Sequence, residues 1–147
     1  MVVVVDANIL ISAALNLDEK IATLIFSNSS STINFVVPAF VLGELKEYEI
    51  RICKENKISI TAFNQNILLL LTKFLVINDD EISDRVFKKA FELTKQIDPK
   101  DTIYIALAIS LDALLWTGDL KLLRGLKRKG FNYIITTTDF QQLLKGL

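Results

Sequence analysis

The chain has 147 residues, 51% of them hydrophobic, with a mean hydropathy of +0.39 and seventeen basic side chains balanced by seventeen acidic ones. Its length suits one domain able to bury about two thirds of the surface that the unfolded chain exposes, and its composition excludes a disordered chain. Zero formal charge excludes attraction of nucleic acid by an overall field; the absence of histidine excludes Ser-His-Asp and Cys-His nucleophile systems and His-ligated zinc; the single cysteine, Cys53, excludes an intrachain disulfide.

Taken in order, Val2 to Val5 predicts a buried strand that ends at Asp6. Asn8 to Ala14 and Glu19 to Ser27 read as helices, split near Leu17-Asp18, and Ser27 to Thr32 is a polar loop. Asn34 to Val37 is a second strand, after which Pro38 suits the first turn of a helix running to about Lys57. Another helix is expected over Thr61 to about Leu75. Within Ser83 to Ile97, Val86, Ala90, Leu93 and Ile97 recur at helical spacing, with Phe87 and Phe91 widening the stripe. Asp98-Pro99 opens the next helix, Leu114 to Thr117 and Tyr133 to Thr136 read as strands, and a last helix runs from Thr138 or Asp139 to Lys145.

Strands alternating with helices imply an α/β fold with a parallel sheet covered on both faces. The longest uninterrupted apolar run, Ile103 to Ile109, falls far short of the ~18 residues a membrane span needs. No basic segment precedes Val2 and an acid follows Val5, so no signal peptide is expected, and the cytoplasm is the expected compartment.

The chemistry lies in four carboxylates. Asp6 and Asp119 follow predicted strands, and ligands in open α/β sheets bind beyond the carboxyl ends of strands, so the two acids converge if their strands are neighbours. Glu44 and Asp101 join them if their helices approach the same edge. Such an all-oxygen cluster suits Mg²⁺ or Mn²⁺. Structural readings also exist, and Asp6, directly after five apolar residues, is the acid they explain least. Asp98 can cap a helix whose first turn holds Pro99 and Asp101, Asp119 can be a turn or capping acid, Glu44 can belong to a charged face with Glu47 and Glu49, and Asn8 can cap the first helix.

Val4-Val5-Asp6-Ala7-Asn8-Ile9-Leu10, Pro38 to Leu45 with Glu44, Asp98 to Asp101 with Ala106 and Ala108 following, and Leu115-Trp116-Thr117-Gly118-Asp119 together resemble the PIN-domain family, which includes VapC-type toxin ribonucleases. Their order and spacing agree across essentially the whole chain. The resemblance implies a three-layer α/β/α sandwich around a central parallel sheet and a Mg²⁺- or Mn²⁺-dependent ribonuclease site. By position, Asp6, Glu44, Asp101 and Asp119 would be the acidic quartet, Asn8 and Thr117 its polar supports, and Asp98 an outer ligand or a cap. One departure is Asn8, where many toxin members have Ser or Thr.

A cation in such a cluster would acidify water and neutralise charge on a scissile phosphate. Without one, neighbouring carboxylates resist simultaneous ionisation, so the cluster should hold a proton that metal binding releases. For RNA, Lys121, Arg124 and Arg128 fall on one helix face, although a solvated surface also explains the basic run; Lys46 and Arg51 are weaker candidates. Ile67 to Leu71, with Phe74 and Leu75, carries more apolar surface than one helix face needs and suggests a homodimer. Two function classes follow. One is a metal-dependent endoribonuclease, of which the toxin of a toxin–antitoxin pair is one form. The other is a PIN-like module that binds RNA or protein without cutting. A haloacid-dehalogenase-type phosphatase fits less well, because Asp6-Ala7-Asn8 lacks that chemistry's second Asp.

Overall fold

The computed structural model describes residues 1–28 and 32–146, so the middle of the polar loop predicted between Ser27 and Thr32 lies outside the described residues. Its elements are β1 (Val2–Val5), α1 (Ala7–Leu15), α2 (Lys20–Ser27), β2 (Asn34–Pro38), α3 (Phe40–Glu55), α4 (Ile60–Leu71), β3 (Phe74–Ile77), α5 (Asp84–Thr94), α6 (Thr102–Leu111), β4 (Leu114–Trp116), α7 (Leu120–Arg128), β5 (Ile134–Ile135) and α8 (Thr137–Lys145), with short 3₁₀ turns at Asp79–Glu81 and Pro99–Asp101.

All five strands are parallel, in the order β3-β2-β1-β4-β5. The sheet grows outward from β1 through β2 to β3, then α5 and α6 carry the chain back to lay β4 on the other side of β1. The direction of winding therefore reverses between β1 and β4. A crevice opens at such a reversal because the connections leaving the two strands part to opposite faces. Burial on both faces explains the near-continuous apolar strands: Val3, Val4, Val5, Leu115 and Trp116 are all fully buried.

α6 packs across β1, β2 and β4, and α5 packs on α6 and α7, while α1 contacts α2, α3 and α4. A helix buried in this way is apolar on every side, as α6 is from Tyr104 to Ala108. An aromatic cluster of Phe35, Phe74, Trp116 and Phe140 joins β2, β3, β4 and α8; the Trp116 and Phe140 rings lie 4.7 Å apart. The Trp116 indole N–H, which burial would otherwise leave unpaired, donates to Thr137 Oγ1 at 3.0 Å.

Three sequence expectations need correction. The helix expected to reach Leu75 stops at Leu71, and Phe74–Ile77 is a strand paired with Phe35–Pro38. The apolar run from Ile67 onward conceals this change of period, because short apolar runs suit a helix and a buried strand alike. Pro38 ends β2 and does not open a helix; α3 starts at Phe40. The β1–β2 ladder stops at Val4↔Val36, so the missing Pro38 N–H interrupts no pairing on that side. On α5, Phe87 and Phe91 do not widen the core stripe: both are 40% exposed, and Ala90 and Thr94 are buried.

Candidate active site

Asp6 leaves β1 at the crevice, its N–H tied to Trp116 O at 3.0 Å, and its side chain is only 5% exposed. A carboxylate at the end of a buried strand needs polar partners. Two come from the pairing of β1 with β4: Thr117 Oγ1 donates to Asp6 Oδ2 at 2.6 Å, and Asn8 Nδ2 donates to the same oxygen at 3.3 Å. The fully buried Thr117 hydroxyl also accepts the Asp119 N–H at 3.1 Å, and Asn8 Oδ1 accepts the Gly118 N–H at 3.1 Å. The two strand ends are thereby locked together, with Asp6 and Asp119 on either side of Thr117. Asn8 is the second residue of α1 and its side chain serves this network, which replaces the helix-capping reading.

Asp119 takes the capping role that the sequence allowed it. Oδ1 caps α7 by accepting the Leu122 N–H at 3.0 Å, and Oδ2 lies outside that bond. Asp98 is the true cap of the Pro99–Asp101 turn, accepting the Lys100 N–H at 3.0 Å from an exposed position. Asp101 makes no capping bond to α6, and its buried Oδ2 has no hydrogen-bond partner among the described residues. Glu44 reaches the site from α3, and its Oε1 accepts a hydrogen bond from the Tyr104 hydroxyl on α6.

Electrostatics ties the four acids together. Burial pushes the Asp101 carboxyl up to about 8, reinforced by repulsion from Asp6, Asp98, Asp119 and Glu44. Asp6 is raised first by burial, with Asp119 adding to the effect against the hydrogen bonds from Thr117, Ala7 and Asn8. Glu44 is raised chiefly by burial, against the Tyr104 hydrogen bond, with repulsion from Asp6 and Glu47. Buried carboxyls that raise one another's pKa lie within electrostatic reach, and such groups cluster at functional sites.

A family model for the PIN domain matches residues 4–142. The chain belongs to the PIN-domain family. Its PIN fold recurs in solved structures of low sequence identity. PAE2754 from Pyrobaculum aerophilum is 20% identical with a TM-score of 0.66, the match covering 99% of this chain and 90% of that one. VapBC-1 from nontypeable Haemophilus influenzae is 22% identical with a TM-score of 0.64, covering 94% and 99%. VapBC2 from Rickettsia felis, solved bound to a DNA fragment from its promoter, is 17% identical with a TM-score of 0.60, covering 92% and 97%. No curated protein matches the sequence. PIN domains are a nuclease family that generally works with divalent cations.

The PIN fold of this chain brings Asp6, Glu44, Asp101 and Asp119 into mutual electrostatic reach, with Asn8 and Thr117 beside them. Among the described residues, no three or more Asp, Glu or Cys side chains are placed together so that they could hold a metal ion. The donors nonetheless suit a hard cation in kind: they are all oxygen, they repel one another, and the buried Asp101 Oδ2 has no hydrogen-bond partner among the described residues. Lys121, Arg124 and Arg128 are exposed on α7. Sequence reasoning passed over Tyr104, which it placed in an apolar run. The available signal was its spacing of three from Asp101, which puts both on one side of α6. Burial and the Glu44 carboxylate keep its hydroxyl protonated, a permanent donor to Glu44.

Proposed function

We propose that this chain is a Mg²⁺- or Mn²⁺-dependent endoribonuclease, folded as a single domain, that hydrolyses RNA phosphodiester bonds. The observation that supports this most is that Asp6, Asp119 and Glu44 all act electrostatically on Asp101 beside the β1/β4 reversal, and that a buried Asp101 oxygen has no hydrogen-bond partner among the described residues. Asp6, Asp101 and Asp119 would hold the ion, with Glu44 binding a second ion or orienting water. A divalent cation there supplies positive charge against the scissile phosphate and acidifies the attacking water.

The chain's own residues do the rest. Thr117 and Asn8 hold Asp6 by Oδ2, so its position is set before any ligand arrives. Asp119 is fixed through its capping oxygen. Asp101 carries a proton at neutral pH and gives it up when positive charge arrives. Tyr104 directs Glu44, and Lys121, Arg124 and Arg128 on α7 position phosphates of the strand without taking part in the chemistry.

Two of the solved structures similar in fold bear the VapBC name, and the present chain fits the toxin of a toxin–antitoxin pair, paired with an antitoxin protein and acting in the cytoplasm. No helix among the described residues is long and apolar enough to cross a membrane. Leu68, 67% exposed on α4, with Leu69 and with Leu75 on β3, offers an apolar surface for a homodimer. Leu68→Asp would then shift the sedimentation coefficient toward that of a single chain.

Cleavage of a labelled single-stranded RNA tests the catalytic reading. Asp6→Asn and Asp119→Asn should each abolish hydrolysis and leave thermal stability in chelator unchanged or raised, since a crowded charge is removed. Wild-type rates in Asp6→Asn would rule this mechanism out, whereas a wild-type chain that cleaves nothing with Mg²⁺ or Mn²⁺ would leave a PIN domain that binds RNA or protein without cutting.

A further inference from the structure

A second site lies at the opposite edge of the sheet from the acids. α6 ends there with Asp112 in the left-handed region at φ 50°, its N–H and that of Ala113 satisfying the last carbonyls of the helix. α7 ends at the same edge with Gly130 at φ 85°, where the Gly130 N–H bonds Lys127 O and the Phe131 N–H bonds Leu126 O, both at 3.0 Å. The two turns and the flank of α5 enclose a cavity of about 340 Å³, whose wall includes Lys89, Asp112, Lys129, Phe131 and Tyr133. Phe131 and Tyr133 stand edge to face at 5.9 Å, and Tyr133 is 58% exposed. Lys129 Nζ is drawn to this side by the Glu92 carbonyl at 3.3 Å.

α7 connects the two sites. It begins at Asp119 and ends at this cavity, about 14 Å away by helical rise. Gly125 faces Ile97 of the α5–α6 connection and Lys129 faces Glu92, while Lys127 lies near Asp139 at the start of α8. Lys121, Arg124 and Arg128 therefore run along the outer face on the α5 side, toward Lys129 and Lys89. Two ammonium groups for phosphate, an exposed aromatic face for a base and a carboxylate for a base amino group make up a nucleotide site.

We propose that this cavity is an RNA exosite holding one unpaired nucleotide of the substrate strand: its base stacks on Tyr133, its amino edge meets Asp112, and its phosphate is held by Lys89 and Lys129. This rests on the ribonuclease reading above and names where the strand goes after it leaves the acids. Uracil, which lacks an amino group, is disfavoured.

The test is fluorescence anisotropy with end-labelled oligoadenylate and oligouridylate of equal length, in chelator so that nothing is cut. Oligoadenylate should bind more tightly, Tyr133→Ala should weaken it about tenfold, and Tyr133→Phe should retain affinity. Lys89→Ala should lower the slope of log affinity against log salt by about one. Tyr133→Ala binding oligoadenylate as tightly as wild type, with an unchanged melting curve, overturns the exosite, as does a wild-type chain that binds neither oligonucleotide. The two readings fail separately. Tyr133-dependent binding without any Mn²⁺-supported cleavage keeps the exosite and removes the nuclease; Asp6-dependent cleavage with Tyr133-independent binding does the reverse.

Discussion

Asp101 makes the site sensitive to pH. In the folded chain its carboxyl titrates at about 8, whereas in the unfolded chain it returns toward its ordinary 3.8. As pH rises above 3.8 the unfolded chain loses this proton first. The stability fully present below 3.8 is therefore lost progressively as pH climbs to about 8. Burial raises Asp6 and Glu44 in the same direction. In chelator, the melting temperature of the wild type should fall between pH 5 and pH 8, and Asp101→Asn should flatten part of that fall by removing the titrating group. An unaltered pH profile in the variant would mean that Asp101 is not buried among like charges. Adding Mn²⁺ at pH 8 should raise the melting temperature of the wild type more than that of Asp101→Asn, because the ion displaces the proton from one and finds a weaker ligand in the other.

At the scale of elements, α7 has Asp119 as the cap of its start, and an exposed basic face with Lys121, Arg124 and Arg128 follows. Its seat depends on Gly125, where an added Cβ would meet Ile97 Cδ1 at 2.5 Å and Cγ1 at 2.9 Å. Gly125→Val should force the helix away from the α5–α6 connection and cost about 1–3 kcal/mol, read from chemical denaturation. RNA binding should weaken alongside, since the basic stripe shifts with the helix. α6 contributes differently. It is apolar throughout its middle, yet it begins at Asp101 and holds Tyr104 against Glu44 of α3, so a core helix also aligns two of the four acids.

Over the whole molecule, equal numbers of acidic and basic side chains leave no general attraction for RNA, so the proposed RNA binding would have to come from local charge. Changing Lys121, Arg124 and Arg128 together to Ala should flatten the salt dependence of RNA affinity and weaken binding across sequences, with little change in cleavage rate at saturating RNA. An unchanged salt slope would make the stripe a solvated surface and move the search for the RNA path toward Lys46 and Arg51. Chelation should stop cleavage while the far-ultraviolet circular dichroism stays that of the folded chain. The sheet and its aromatic cluster of Phe35, Trp116 and Phe140 owe nothing to an ion.

Local pattern alone determined much of this. Val2 to Val5, Asn34 to Val37 and Leu114 to Trp116 are legible as strands because burial on both faces of a parallel sheet demands continuous apolar residues, and Asp6, Glu44, Asp101 and Asp119 stand out as acids beside such runs. β3 was not legible, since Phe74 to Ile77 continues the apolar composition of α4 and only pairing with β2 shows where the helix ends. The fate of each carboxylate was likewise a tertiary matter. Asp98 and Asp101 share one helix-start motif, in which the sequence offers Asp98 as the cap and Asp101 as a first-turn acid completing a box. Asp98 became the exposed cap, while Asp101 became partly buried within electrostatic reach of three acids from other segments, Asp6, Glu44 and Asp119. What separates them is the return of β4 to the side of β1, because burial and charge repulsion depend on distance in space, and local periodicity carries no information about which strands become neighbours.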